Sequence, residues 1–297
     1  MRVTQNILFG NFMRDVNINR AEMGKIQSDL SSGKRVRIPS HDPVSFERSR
    51  IISEDIRKQE QYQSNISNGL RQSRLAQQTL EATIDRLIDI KQIVTHGASD
   101  SSTGSVRENM AEEVAGIRES LVHALNLNYG DRYLFAGTNS GEPPFEMDDN
   151  EPGGVANHSN GNPPQLLVAD KTRVDLSITG EELTDTGAGD LFEIIENIEE
   201  ALINNDTEQI GLQLEDIDTA IDHVVTLTSR LANSINRMEY LFEQYESSKI
   251  ARHSDISELV DTDYARAFSD LQRTQVAFES AMAVHTKMFG NTLLNYL

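Results

Sequence analysis

The chain has 297 residues, 37% of them hydrophobic, with no tryptophan and a mean hydropathy of -0.46, which is low for a compact globule and suits a long helical protein. The net charge of -20 is uneven: residues 1–50 hold nine Lys/Arg against five Asp/Glu and residues 264–297 three against two, so the surplus acid lies between them. An acidic middle repels phosphate backbones and argues against nucleic acid, and the lack of cysteine excludes disulfides, thiol catalysis and thiolate metal sites. No run approaches the length of a membrane span, so membrane insertion is not expected. Ile7 to Phe9 is too short for the apolar part of a secretory signal. A protein of this kind working outside the cell would leave it by a route that needs no cleaved signal.

Met1 to Ser32 predicts a helix. Phe9, Phe12, Val16, Asn19, Met23, Ile26 and Leu30 recur at alternating steps of three and four, with Val3 and Ile7 extending the apolar side toward the start. Such a stripe must pair with another helix to leave water. Gly33 can end this helix, Pro39 opposes a restart, and Asp42 followed by Pro43 reads as the cap and first turn of the next. A short, basic, irregular connector is the expected result, acting as a hinge or spoke.

The second helix keeps register through Ile66, Leu70, Leu80, Ile84, Leu87 and Val94 as far as His96-Gly97. After a Gly/Ser/Asp-rich loop, Ser105 with Glu108 predicts a capping box. Met110, Val114, Ile117, Leu121 and Ala124 carry a further helix, with Gly130 just past its end. Residues 131–189 change character. Arg132–Gly137, Leu166–Val168 and Val174–Ile178 read as strands within a small acidic β-rich insert. Helix returns after Asp190 through Leu191, Ile195, Ile198 and Leu202. The longest stretch follows, from Ile210 to Tyr245, and residues 208–248 would span roughly 60 Å. Antiparallel partners for so long a stripe are helices 43–96 and 105–129.

Ser254-Asp255 and Asp261-Thr262-Asp263 predict a second break. The final helix then steps from Tyr264 through Phe268, Leu271, Gln275, Phe278, Met282, His285 and Phe289 to Leu293, Leu294 and Leu297. The expected fold is mainly α, an elongated antiparallel helical rod or coiled coil formed by the N- and C-terminal segments, with a small β-rich insert. Its layout is nested: terminal coiled-coil helices at 1–42 and 255–297, a helical rod at 43–130 and 190–254, and the insert at 131–189. An isolated helix pair buries too little to be stable. The terminal stripes therefore read as an assembly interface: Val3, Ile7, Phe9, Phe12, Val16, Met23, Ile26 and Leu30 on one helix, Phe268, Leu271, Phe278, Met282, Phe289, Leu293, Leu294 and Leu297 on the other. Gly33, Pro39, Asp42 and Pro43 mark the connector.

Nothing in the chain reads as an enzyme. His41-Asp42 has no nucleophile or third member nearby, and Asp148, Asp149 and Glu151 lack the spacing of a calcium loop. Gly137–Gly141 lacks the lysine and helix start of a phosphate cradle. Asn157-His158-Ser159 fits the glycosylation acceptor pattern, a weak signal alone, and His285 reads as a packed seam residue. No cofactor or metal is expected.

Leu30-Ser31-Ser32-Gly33-Lys34-Arg35-Val36, followed by Pro39-Ser40-His41-Asp42-Pro43, resembles the N-terminal motif of the bacterial flagellin superfamily, with His41 in place of the first of two aspartates. Gly130-Asp131-Arg132-Tyr133-Leu134-Phe135-Ala136-Gly137-Thr138, with Pro143-Pro144-Phe145 after it, resembles a segment of the hook-associated protein 3 family, the hook–filament junction proteins. The block from Leu271-Gln272-Arg273-Thr274-Gln275 to Leu297 is similar to that family too. The resemblance implies a non-enzymatic, extracellular subunit of the flagellar axis, exported unfolded without a cleaved signal while a chaperone holds its C-terminal helix. It further implies a ring of copies of the chain between hook-associated protein 1 and the flagellin filament. Flagellin itself is the alternative within the superfamily. A cytoplasmic helical signalling rod is the more remote one, since its symmetric hairpin tip would stand where this chain places a Gly/Pro-rich insert.

Overall fold

The structure, a computed structural model, describes residues 2–99 and 102–294; the side chains of residues 2–6, 8 and 288–294 lie outside that description. Helix accounts for 72% of the chain, in accord with the mainly α expectation. The helices are α1 (Arg2–Ser32), α2 (Pro43–Gly97), α3 (Gly104–Leu125), α4 (Gly180–Thr184), α5 (Leu191–Ile203), α6 (Thr207–Val260) and α7 (Tyr264–Leu294). Two compact units result. Unit 1 is Met1–Arg57 with Ser248–Leu297, and unit 2 is Lys58–Ser247.

In unit 2 the α2 face Ile66, Leu70, Ser73, Ala76, Leu80, Thr83, Leu87, Ile90 and Val94 is buried. It shares one core with Leu121 of α3, Ile195 and Ile198 of α5, and Ile217, Val224 and Leu231 of α6. Polar members of that face are satisfied locally. Thr83 Oγ1 donates to the Thr79 carbonyl at 2.9 Å, one helical turn back. Ser73 Oγ donates to the Leu176 carbonyl at 2.6 Å. That contact is close because Gly69 has no Cβ: one placed there would lie 2.7 Å from Leu166 Cδ2 and 2.8 Å from Leu176 Cδ2.

Between Asn128 and Asp175 the chain forms three two-stranded antiparallel hairpins. They are β1 (Asn128–Tyr129) with β2 (Arg132–Tyr133), β3 (Phe145–Met147) with β4 (Val155–Asn157), and β5 (Gln165–Ala169) with β6 (Thr172–Asp175). Lone hairpins are marginal in water. Here Phe145, Val155, Val168 and Val174 are buried in the same core as the helices.

Several sequence expectations change. The strand expected over Arg132–Gly137 stops at Tyr133: Leu134, Phe135 and Ala136 are all buried, and their backbone bonds go to Leu127, Gly180 and Asn160 rather than to a paired strand. The Leu134 amide donates to Leu127, and the Phe135 carbonyl accepts from Gly180. Gly130 (φ +66) serves the β1–β2 turn, since α3 already ends at Leu125. Ser105 and Glu108 form no capping box: Thr103 is the cap residue, extended and without a side-chain cap bond, so Ser105 already lies inside the first turn. Asp190 does cap α5, accepting from the Phe192 amide at 2.9 Å. The break expected at Ser254-Asp255 is absent: α6 runs through to Val260, and residues 250–260 hold neither Gly nor Pro.

Arg118 joins the insert to the helices. It donates to the Gly153 carbonyl at 2.9 Å and sits 3.1 Å from Glu199 and 3.8 Å from Glu196. Glu196 in turn accepts from the Gly153 amide at 2.8 Å. Burial raises the Glu199 carboxyl to about 7, with Arg118 opposing the shift and Glu196 adding to it. The folded chain thus holds a proton that the unfolded chain releases between its ordinary value of 4.5 and about 7. This contribution to stability is complete at low pH and is lost as pH rises through 7. Thermal melting of unit 2 should therefore occur at lower temperature at pH 8 than at pH 6.5. Glu199→Gln should flatten that dependence in a calorimetric pH series, and an unchanged slope in the variant would rule out Glu199 as its source.

Candidate assembly site

Unit 1 places α1 against α7. Val16 is buried in their seam, and Phe12, Met23, Ile26, Leu30, Leu271 and Phe278 are half-buried. The Phe12 ring stacks on His285 with centroids 4.0 Å apart, and Phe9 approaches the same imidazole at 5.8 Å. The Arg20 guanidinium lies 5.8 Å from the centre of the Phe278 ring. His285 is thus a seam residue. Ile7, Phe9, Phe268 and Met282 are exposed. The side chains of Val3, Phe289, Leu293 and Leu294, and the whole of Leu297, fall outside the described residues.

The two helices also expose apolar residues away from their seam. At about 100° per residue, Ile7 and Ile18 lie on the side of α1 opposite Val16. Ile7 therefore does not extend the seam: the nine residues to Val16 amount to two and a half turns. On α7, Val276 and Val284 fall well round the helix from Phe278 by the same geometry. Ile18 is 56% exposed and Val276 60%. Each helix is apolar on two sides, and one partner covers one side. Ile18, Val276 and Val284 escaped the sequence reading because a search for a single stripe passes over isolated apolar residues off it. Ile7, Ile18, Val276 and Val284 are therefore the candidate contacts for a partner beyond this pair.

Beside this pair the two connectors bond to each other. Gly33 ends α1 at φ +70, and a Cβ there would lie 2.8 Å from the Tyr264 hydroxyl, so two independent constraints call for glycine. Lys34 and Asp261 form an antiparallel bridge. The Val260 carbonyl accepts from Arg35 at 2.8 Å and from Val36 at 3.2 Å, and the Thr262 amide donates to Gly33 at 2.9 Å. Arg35 also donates through its guanidinium to Leu259, and Arg37 pairs with the buried Asp29 at 3.1 Å. Val36 and Val260 are buried beneath these bonds. The hinge expected here is a hydrogen-bonded joint. Pro39 is exposed within it, and Pro43 opens α2. Asp42 caps that helix, accepting from the Ser45 amide at 3.1 Å and hydroxyl at 2.7 Å. The Ser45 side-chain bond chiefly holds the Asp42 carboxyl below its ordinary value, with the Ser45 amide and Arg35 assisting.

Several groups with catalytic or ligating potential have structural roles. Asp42 is a cap, and His41 is exposed with its amide bonded to Ile38. Asp148 closes a turn on Asn150. The Asn160 side chain bonds Thr138 beside Gly137, which is held at φ +72. Asn157 Oδ1 accepts from the amide and hydroxyl of Ser159. Among the described residues no group of three or more His, Asp or Glu is placed to hold a metal ion, and no helix is long and apolar enough to cross a membrane.

Comparison with known proteins accords with this geometry. The bacterial flagellin N-terminal helical region matches residues 3–140. Flagellar hook-associated protein 3 of Escherichia coli (strain K12) is 22% identical over 99% of this chain and 98% of its own length. In fold, FlgL of Bacillus cereus aligns with a TM-score of 0.59 at 19% identity, over 69% of this chain and 98% of that one. The flagellar junction protein FlgL of Legionella pneumophila aligns at 0.61 with 13% identity, over 72% of this chain and all of the other. These relatives support a structural, flagellum-associated role. Residues 3–140 are thus similar to the N-terminal helical region of the bacterial flagellins, and nearly the whole chain is similar to flagellar hook-associated protein 3.

Proposed function

We propose that this protein is a structural subunit of the bacterial flagellum that joins hook-associated protein 1 to the flagellin filament. Copies form a ring by packing their terminal helices, residues 1–42 and 255–297, against one another and against subunits above and below. The chain reaches that place outside the cell unfolded and without a cleaved signal, its C-terminal helix held beforehand by an export chaperone. The observation that carries this reading is the apolar surface left on α1 and α7 away from their mutual seam, at Ile7, Ile18, Val276 and Val284. Burying one such side chain contributes about 1.5–3 kcal/mol, so repeated contacts around a ring yield a firm joint without an enzyme. Antibody labelling of isolated flagella tests it. A narrow band at the hook–filament boundary is expected. Labelling along the filament would replace this reading with a flagellin, and label absent from flagella would overturn both.

A further inference from the structure

Two exposed stripes outside the α1–α7 pair have no role in the assembly described so far. On α2, within unit 1, Val44, Arg48 and Ile51 fall within about 60° of one another at 100° per residue. Val44 is 64% exposed and Ile51 49%. The neighbouring arginines are engaged: Arg50 lies between Glu47 at 2.8 Å and Glu54 at 2.6 Å, and Arg252 pairs with Asp55 at 2.9 Å. Arg48 makes no ion pair among the described residues. It is a spare positive charge between two apolar side chains.

In unit 2 the complement occurs. Asp218, Ile221 and Asp222 of α6 line an open groove with Ile88 of α2, and Val225 lies on the Asp218–Asp222 face of α6 about one turn further on. Ile88 and Val225 are exposed. Lys91 answers Asp218 at 2.5 Å, whereas the Asp222 carboxylate has no partner among the described residues. The wider charge has the same sense. Residues 58–247 hold 12 Lys/Arg against 34 Asp/Glu, and the rest of the chain 15 against 13.

We propose that the Val44–Arg48–Ile51 stripe of one copy docks into the Ile88–Ile221–Asp222 groove of a second copy. The inference rests on the self-association proposed above and specifies which faces meet. Two different patches joined in this way form a heterologous contact, which on repetition gives a closed ring or a helical row. The apolar side chains supply the buried area, and the charge pair fixes register and disfavours like-against-like encounters, since two acidic grooves repel.

A charge swap in the full chain tests the contact, with association followed by sedimentation near physiological salt and folding by circular dichroism. Arg48→Glu and Asp222→Arg should each weaken association about tenfold or more, and the double variant should return to within about threefold of wild type. Both substituted positions are exposed, so the monomer's helicity should stay constant. A double variant no better than either single one, in a chain whose wild type associates, overturns this contact alone. A wild-type chain that associates at no concentration overturns it together with the proposed function.

Discussion

Phe268→Glu and Met282→Glu should each leave the free chain as stable as wild type, within about 0.5 kcal/mol, and yet stop it from assembling. Both side chains are exposed on α7, at 56% and 44%, so in the isolated chain the new carboxylate meets water. In an assembly that buries the same position, an unpaired charge costs several kcal/mol. About 3 kcal/mol at a single contact already lowers affinity more than a hundredfold, and a ring repeats the cost at every subunit. Melting curves of the purified variants, sedimentation at rising concentration, and swarming of cells carrying each variant as the only copy would measure the two effects separately. Normal swarming with either variant would count decisively against α7 as an assembly surface.

The largest effect on stability should come from Phe192→Ala. Phe192 is buried at the start of α5, edge-on to Phe145 of β3 with ring centroids 5.4 Å apart. It therefore joins the helical core to the insert. Removing a buried phenylalanine costs about 3–5 kcal/mol, which for a unit of this size lowers its melting temperature by on the order of 10 °C. Gly153→Ala approaches the same junction from the other side. Gly153 has φ +80, and a Cβ there would stand 2.6 Å from the Glu193 amide nitrogen, backbone that has no room to move aside. Both variants should release the insert from the helices, read as loss of protected amides across β3 and β4. A Phe192→Ala penalty below about 1 kcal/mol would mean that the insert is not seated on that core.

Much of this architecture could be read from local pattern. The seam through Phe12, Val16, Met23 and Leu30 is legible because helix periodicity is a property of nearby residues, and Gly33, Pro39 and Pro43 bracket a break for equally local reasons. What escaped depends on partners distant in sequence. The bridge from Lys34 to Asp261 joins residues more than two hundred positions apart, and nothing in either segment announces the other. Gly69 inside α2 looks like a weak point until Leu166 of β5 and Leu176, just past β6, are seen against it. The run Leu134–Ala136 resembled a strand by composition, although Leu134 and Phe135 are buried in the helical core and their backbone partners are scattered along the chain. Ser254-Asp255 resembled a break, although two polar residues do not stop a helix whose neighbours form it well. For the assembly site the stripe was legible in local periodicity and the second apolar side was not. Ile18 and Val276 carry meaning only once the seam has been assigned and is found not to include them.

The account depends on those off-seam residues being covered by other subunits. Because the chain contains no cysteine, Val276→Cys introduces a single thiol, whose reaction with a maleimide can be timed in the free chain and in assembled flagella. The free chain should label rapidly, as a 60% exposed position allows, and the assembled protein should label at least about tenfold more slowly, with full reactivity regained on dissociation. Equal labelling rates in the two states would mean that α7 keeps this face in water after assembly, and the joint described here would be contradicted.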